Sequence, residues 1–97
     1  MTPAELIERW ERIAAGPVAL GDDDWLNDLD VRQLLHDLGL RERAPYRDRL
    51  RAADARFRAA TLPVRTCLWG EENAHRHGWT RRRNWWYYRI PAAGIPD

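Results

Sequence analysis

The chain has 97 residues, a formal net charge of +1 and six tryptophans, and 44% of its residues are hydrophobic. This length is typical of one domain, so we expect a single domain over residues 1–97, and no stretch approaches the ~18 apolar residues that span a bilayer. One cysteine excludes an internal disulfide and a zinc site made of cysteines alone. The N-terminus lacks the apolar run of a signal peptide, so we expect a cytoplasmic protein without membrane contact.

Charge is divided unevenly along the chain. Residues 1–40 contain nine acidic residues and three arginines, whereas residues 41–97 contain thirteen arginines and six acidic residues. Such halves can neutralise each other inside one fold, pair between two molecules, or present separate faces to different partners. We favour neutralisation inside the fold.

A first helix is predicted over residues 3–15. Thr2 is a favourable N-cap, Pro3 suits the first helical turn, and Glu5 completes a capping box. Gly16 and the proline after it predict the helix end. The apolar stripe of this helix consists of Leu6, Ile7, Trp10, Ile13 and Ala14.

A second helix is predicted within residues 23–38. Asp30 and Gln33 form a second capping-box pattern, and Gly39 is suited to end the helix. The pattern leaves open whether an acidic turn around Trp25 is continuous with this helix. The expected apolar stripe consists of Val31, Leu34, Leu35 and Leu38.

The clearest amphipathic helix is predicted over residues 45–61. Pro45 suits its first turn and Pro63 prevents its continuation. Arginines cover its outer faces, but Asp48 and Asp54 interrupt them, which disfavours a DNA-recognition helix. The apolar stripe consists of Tyr46, Leu50, Ala53, Phe57 and Ala60, and the outward arginines are Arg47, Arg49, Arg51, Arg56 and Arg58.

Beyond the third helix the pattern changes to short alternating and aromatic segments. Residues 64–69 and 84–90 each favour a strand, and a polar loop separates them. Residues 64–91 are therefore expected to form an aromatic β-hairpin or an extended tail across the helices, and residues 92–97 a frayed end. The predicted fold is mainly α, a small three-helix domain with this C-terminal addition, and α+β remains open.

The most unusual segment places arginines beside consecutive aromatic rings. Trp, Tyr and Arg dominate binding hot spots, so we predict a non-enzymatic protein interaction module, an adaptor, inhibitor or regulator, that binds another protein or a second copy of itself. The alternative is single-stranded nucleic-acid binding through residues 81–89, because arginine pairs with phosphates and aromatic rings stack on bases. The candidate binding residues are Trp79, Arg81, Arg82, Arg83, Trp85, Trp86, Tyr87, Tyr88 and Arg89.

Catalytic and metal signals are weak. A single thiol with two nearby carboxylates and two imidazoles lacks the ligand spacing of a zinc site and gives no geometry for a nucleophile. A run of aspartates before Trp25 lacks the glycine and glutamate of a calcium loop. We therefore expect no enzyme activity, no metal and no cofactor. The residues considered for metal or thiolate chemistry are Cys67, Glu71, Glu72, His75 and His77.

Overall fold

A computed structural model describes residues 2–16 and 23–92. Its helices are α1 (Pro3–Ala15), α2 (Asp23–Asp37), α3 (Tyr46–Ala59) and α4 (Glu71–His77), and its strands are β1 (Thr61–Pro63) and β2 (Arg89–Pro91). Two short 3-10 turns cover Leu40–Glu42 and Trp85–Tyr88. The predicted fold class, mainly helical with a small antiparallel strand pair, is confirmed. The expected frayed end lies outside the described residues, apart from Ala92.

Helix α1 begins as its capping pattern predicts. The Thr2 hydroxyl accepts a hydrogen bond from the Glu5 amide at 3.2 Å, and the Glu5 carboxylate accepts one from the Thr2 amide at 3.4 Å. Gly16 caps the other end. The helix packs against α2 and α3 through Leu6, Ile7, Trp10 and Ala14, all of which are buried.

Helix α2 runs without a break from Asp23, and two residues of its predicted apolar stripe are not buried. Leu34 and Leu38 are 50% and 45% exposed because the longer helix turns a different face to the core. Asp30 lies inside the helix and is not a cap. The buried hydrophobic residues are Trp25, Leu29, Val31 and Leu35.

The core is centred on Phe57 of α3. Its ring centroid lies 4.6 Å from that of Trp10, 5.5 Å from that of Trp25 and 5.9 Å from that of Trp85. Leu50 completes the buried stripe with Ala53, whereas the two ends of the predicted stripe are half-buried. Three helices and the C-terminal segment therefore meet at one aromatic side chain.

The strand pair differs from the predicted hairpin. Strands β1 and β2 are antiparallel, with Leu62 opposite Ile90, so the predicted strand over 64–69 is wrong and only the end of the second is extended. Helix α4 occupies the predicted polar loop, and Gly78 ends it with φ 71°. None of the described helices has the length and apolar character needed to cross a membrane.

Candidate functional site

Residues 64–91 form the C-terminal segment, and most of its consecutive aromatic residues, Trp85–Tyr88, belong to the core. The 3-10 turn buries Trp86, Tyr87 and Tyr88 together, whereas a strand would place successive rings on opposite faces. The Trp86 ring lies 5.4 Å from the His36 ring, and the Tyr87 hydroxyl donates a 2.7 Å hydrogen bond to Asp30. Trp86 and Tyr87 therefore hold the segment against α2, and burial keeps all three predicted binding residues from a partner.

The environment of Tyr87 makes the stability of the folded protein fall at alkaline pH. Burial, then the hydrogen bond and charge of Asp30, raises the pKa of Tyr87 above its ordinary value. The unfolded chain loses this proton above about pH 10 while the folded chain keeps it, so stability is full below about pH 10 and falls above it. Each such group contributes a slope of about 1.4 kcal/mol per pH unit.

Between about pH 10 and 11, the free energy of unfolding should therefore fall less steeply in Tyr87→Phe than in wild type. The difference in slope should be that of one titrating group. Urea denaturation at several pH values measures it. Tyr46→Phe leaves Tyr87 and Asp30 in place and should retain the wild-type slope. The raised pKa values of Tyr88 and Cys67, both due mainly to burial, account for the slope that remains. Equal slopes in wild type and Tyr87→Phe would contradict the assignment.

Arg89, another predicted binding residue, has a structural role. Its guanidinium donates to the Thr61 hydroxyl at 2.7 Å, to the Thr61 carbonyl at 3.0 Å and to the Arg58 carbonyl at 3.2 Å. Burial and the nearby Arg58 charge lower the pKa of Arg89. The Arg89 carbonyl also accepts from the Trp25 indole at 3.2 Å. Arg89 therefore fastens β2 to β1 and to the end of α3.

Apart from Trp85, the other predicted binding residues are Trp79 and three arginines. The arginines form a basic turn beside Trp79. Arg81, Arg82 and Arg83 are exposed, and the half-buried Trp79 ring stacks on His77 with centroids 4.5 Å apart. The Thr80 amide donates to the Asn84 side chain at 3.0 Å, and the Arg83 guanidinium donates to the Gly78 carbonyl at 2.6 Å. The Asn84 amide group in turn donates to Gln33 of α2 at 3.0 Å. The turn is thus held in one conformation.

An exposed part of α2 lies next to this turn. A cavity of about 470 Å³ is lined on one side by Gln33, His36 and Asp37 and on the other by residues of the turn. Leu34 and Leu38 are also exposed, but they do not line this cavity. We name the patch that the turn forms the Trp79 surface, which consists of Trp79, Arg81, Arg82 and Arg83.

Trp85 belongs to different surroundings, a concave basic site of about 310 Å³ that we name the arginine cup. The Arg58 guanidinium carbon lies 3.8 Å from the centroid of the Trp85 ring. Asp54 accepts hydrogen bonds from Arg32 at 2.9 and 3.1 Å. The cup is lined by five arginines and one carboxylate: Arg32, Arg41, Arg47, Arg51, Arg58 and Asp54, together with Leu50, Ala55 and Trp85.

Similarity to known proteins does not assign this chain to a family. No family model matches it, and no curated protein or solved structure shows significant similarity to it. The functional assignment therefore rests on its own side chains and their surroundings.

Neutralisation between the two halves of the chain is partial within residues 2–16 and 23–92. Arg49 of the basic half donates to Glu11 of the acidic half. The Arg32–Asp54 pair also connects the halves, but it joins an arginine of the acidic half to a carboxylate of the basic half and does not offset their charges. In the same ranges, no ion pair involves the arginines of the basic turn or the exposed arginines of the cup. Positive charge consequently remains at two places on the surface.

The residues considered for metal or thiolate chemistry do not assemble a site within the part of the chain that the structure describes. There, no group of three or more His, Cys, Asp or Glu side chains is arranged to hold a metal ion. Cys67 is 4% exposed, and burial raises the pKa of its thiol, which disfavours the nucleophilic thiolate. Glu71 instead accepts a hydrogen bond from the Cys67 amide at 3.0 Å. The side chains of Asp22, Asp23 and Asp24 lie outside the described part.

Proposed function

We propose that this chain is a non-enzymatic protein-binding module whose Trp79 surface contacts an acidic partner protein. One observation carries the proposal: three exposed arginines lie in a hydrogen-bonded turn beside a half-buried tryptophan. Tryptophan and arginine are the residues most enriched at binding hot spots, and apolar side chains rimmed by charge are typical of protein contact surfaces.

The charge of the turn defines the class of partner. No carboxylate among the described residues forms an ion pair with Arg81, Arg82 or Arg83. A partner with acidic side chains around an apolar centre would pair with these guanidiniums and cover the Trp79 ring. Because hydrogen bonds already fix the turn, little conformational entropy is lost when the partner binds.

The same geometry favours a protein over single-stranded nucleic acid. Sequence-tolerant binding of single strands needs several rings with open faces on which successive bases stack. Trp86, Tyr87 and Tyr88 are buried, and the Trp79 ring has His77 at 4.5 Å and Tyr87 at 4.4 Å from its centroid. The arginines are exposed and could meet phosphates, but among the described residues no row of open rings lies beside them for bases to stack on.

The test compares wild type with an Arg81→Glu/Arg82→Glu variant and with Arg56→Glu, a matched control on an exposed position of α3. A protein captured by wild type is purified, and its affinity for all three chains is measured by calorimetry. We expect the double variant to bind at least about tenfold more weakly and the control to bind like wild type.

Reversing the charge of an acidic residue in the captured protein should restore binding to the double variant. Equal affinity for wild type and the double variant would overturn the proposal, as would capture of nucleic acid alone. A dimer of this chain that the double variant abolishes would identify the acidic half of a second copy as the partner.

A further inference from the structure

We infer that the arginine cup binds a small polyphosphate, a ligand with two or more linked phosphoryl groups. This site is separate from the Trp79 surface and does not depend on its proposed role. Five arginines and one carboxylate line a concavity of about 310 Å³, and such a concave wall of one charge concentrates counter-ions.

Two of the five guanidiniums are held in place before any ligand arrives. Arg32 is fixed by two hydrogen bonds to Asp54 and lies with its guanidinium carbon 4.5 Å from the Trp86 ring centroid. Arg58 is fixed over the Trp85 ring at 3.8 Å. Arg32 uses Nε and Nη2 for Asp54 and so contributes charge to the cup, whereas the N–H groups of Arg58 match phosphate oxygens.

Arg32 also carries a hydrogen-bond donor without an acceptor. The residue is 2% exposed, and its Nη1 atom is buried with no hydrogen-bond partner in the described part of the chain. Buried donors are nearly always satisfied, so Arg32 is left with unmet hydrogen-bonding capacity beside the cup that it lines. Nη1 itself is closed to the cavity, so Arg32 contributes its positive charge to a phosphoryl group in the cup.

Three further arginines surround the cup and are exposed. Arg47 and Arg51 lie one turn apart on α3, and Arg41 comes from the 3-10 turn after α2. Like charges at this helical spacing repel each other, and none of the three forms an ion pair with a described residue. A bound polyanion would relieve this repulsion by charge pairing.

The size of the cup and the position of Trp85 define the ligand class. A volume of about 310 Å³ corresponds to roughly ten water molecules, which leaves room for more than a single phosphoryl group. Arg58 covers a face of the Trp85 ring, so this ring does not offer that face to a nucleobase. The cup thus recognises linked phosphates, either as a free chain or as the phosphate part of a nucleotide.

The test is a calorimetric titration of the full chain at about 0.15 M salt with tripolyphosphate, pyrophosphate, inorganic phosphate and ATP. We expect tripolyphosphate to bind at least about tenfold more tightly than inorganic phosphate, because it reaches more guanidiniums. Equal affinities for ATP and tripolyphosphate would show that the phosphates alone are recognised. Tighter binding of ATP would show that the nucleotide is the source of the ligand.

The variants locate the site on exposed residues whose replacement leaves the core intact. Arg47→Gln/Arg51→Gln should weaken tripolyphosphate binding about 100-fold, whereas Arg56→Gln on the same helix should not change it. Arg81→Glu/Arg82→Glu should retain binding, which separates this site from the Trp79 surface. The inference is overturned if tripolyphosphate does not saturate the protein at millimolar concentration or if both glutamine variants bind equally. Tighter binding of a single-stranded oligonucleotide to the same arginines would also overturn it.

Discussion

Asp54→Ala is expected to lower the free energy of unfolding by about 3 to 5 kcal/mol. The Asp54 carboxylate accepts two hydrogen bonds from Arg32 and one of 2.9 Å from the Trp10 indole. The Arg32 side chain is 3% exposed, so removing its partner leaves a buried charge without compensation. The same change leaves the Trp10 donor unpaired in the core.

Urea denaturation of wild type and Asp54→Ala measures this loss. Asp48→Ala is the matched control, because Asp48 lies on an exposed position of the same helix, and it should change stability by less than about 0.5 kcal/mol. Adding Arg32→Met to Asp54→Ala should recover part of the loss, since the unpaired charge is then gone. A loss in Asp54→Ala no larger than that in Asp48→Ala would contradict this account of the buried pair.

Asp30→Ala is expected to cost about 3 kcal/mol, since hydrogen bonds to charged groups contribute roughly 1.5 to 3 kcal/mol each. One carboxylate oxygen of Asp30 accepts from the Tyr87 hydroxyl at 2.7 Å and from the Trp69 indole at 3.2 Å. Both contacts tie the C-terminal segment to α2. Tyr87 is 1% exposed, so its hydroxyl finds no replacement partner in water.

Thermal denaturation with hydrogen exchange distinguishes a local from a global effect of Asp30→Ala. We expect faster amide exchange in residues 67–91 than in α1, because the lost contacts belong to that segment. Asp37→Ala is the control on α2, where Asp37 is exposed and accepts a hydrogen bond from Gln33. If the amides of Asp30→Ala exchange equally slowly in residues 67–91 and in α1, and if this variant is as stable as Asp37→Ala, then Asp30 does not anchor the segment.

Local sequence signals determine α1 and α3 well. The capping box at Thr2 and the spacing of Leu50, Ala53 and Phe57 depend on residues within one helical segment, and both features occur in the structure. Helix α2 was harder to predict, because its buried face is chosen by neighbours far along the chain. Asp30 shows this most clearly: its spacing to Gln33 resembles a cap, but its carboxylate is used by Tyr87 and Trp69.

The structure of the C-terminal segment, residues 64–91, could not be predicted from the alternation of its side chains. Trp86 and Tyr87 are both buried because a 3-10 turn, and not a strand, fits between α2 and α3. Helix α4 did leave a signal, since Glu71 and Glu72 lie in its first turn, His75 and Arg76 in its last, and glycines flank it.

The candidate sites were predictable only in part. The exposed arginines beside Trp79 follow directly from the sequence, whereas the hydrogen bonds that hold their turn against α2 are visible only in the fold. The arginine cup joins residues from α2, α3 and the C-terminal segment, so no local pattern announces it. Arginines on the outer face of the central helix were its one sequence signal.

We propose that the Trp79 surface is a protein contact and not a nucleic-acid platform. The most direct measurement is tryptophan fluorescence of wild type and Arg81→Glu/Arg82→Glu, titrated with mixed single-stranded DNA and RNA at about 50 and 200 mM salt. A protein contact at the Trp79 surface predicts the same titration curve for both proteins at each salt concentration. Quenching of wild type that falls steeply with salt and is lost in the double variant would contradict it.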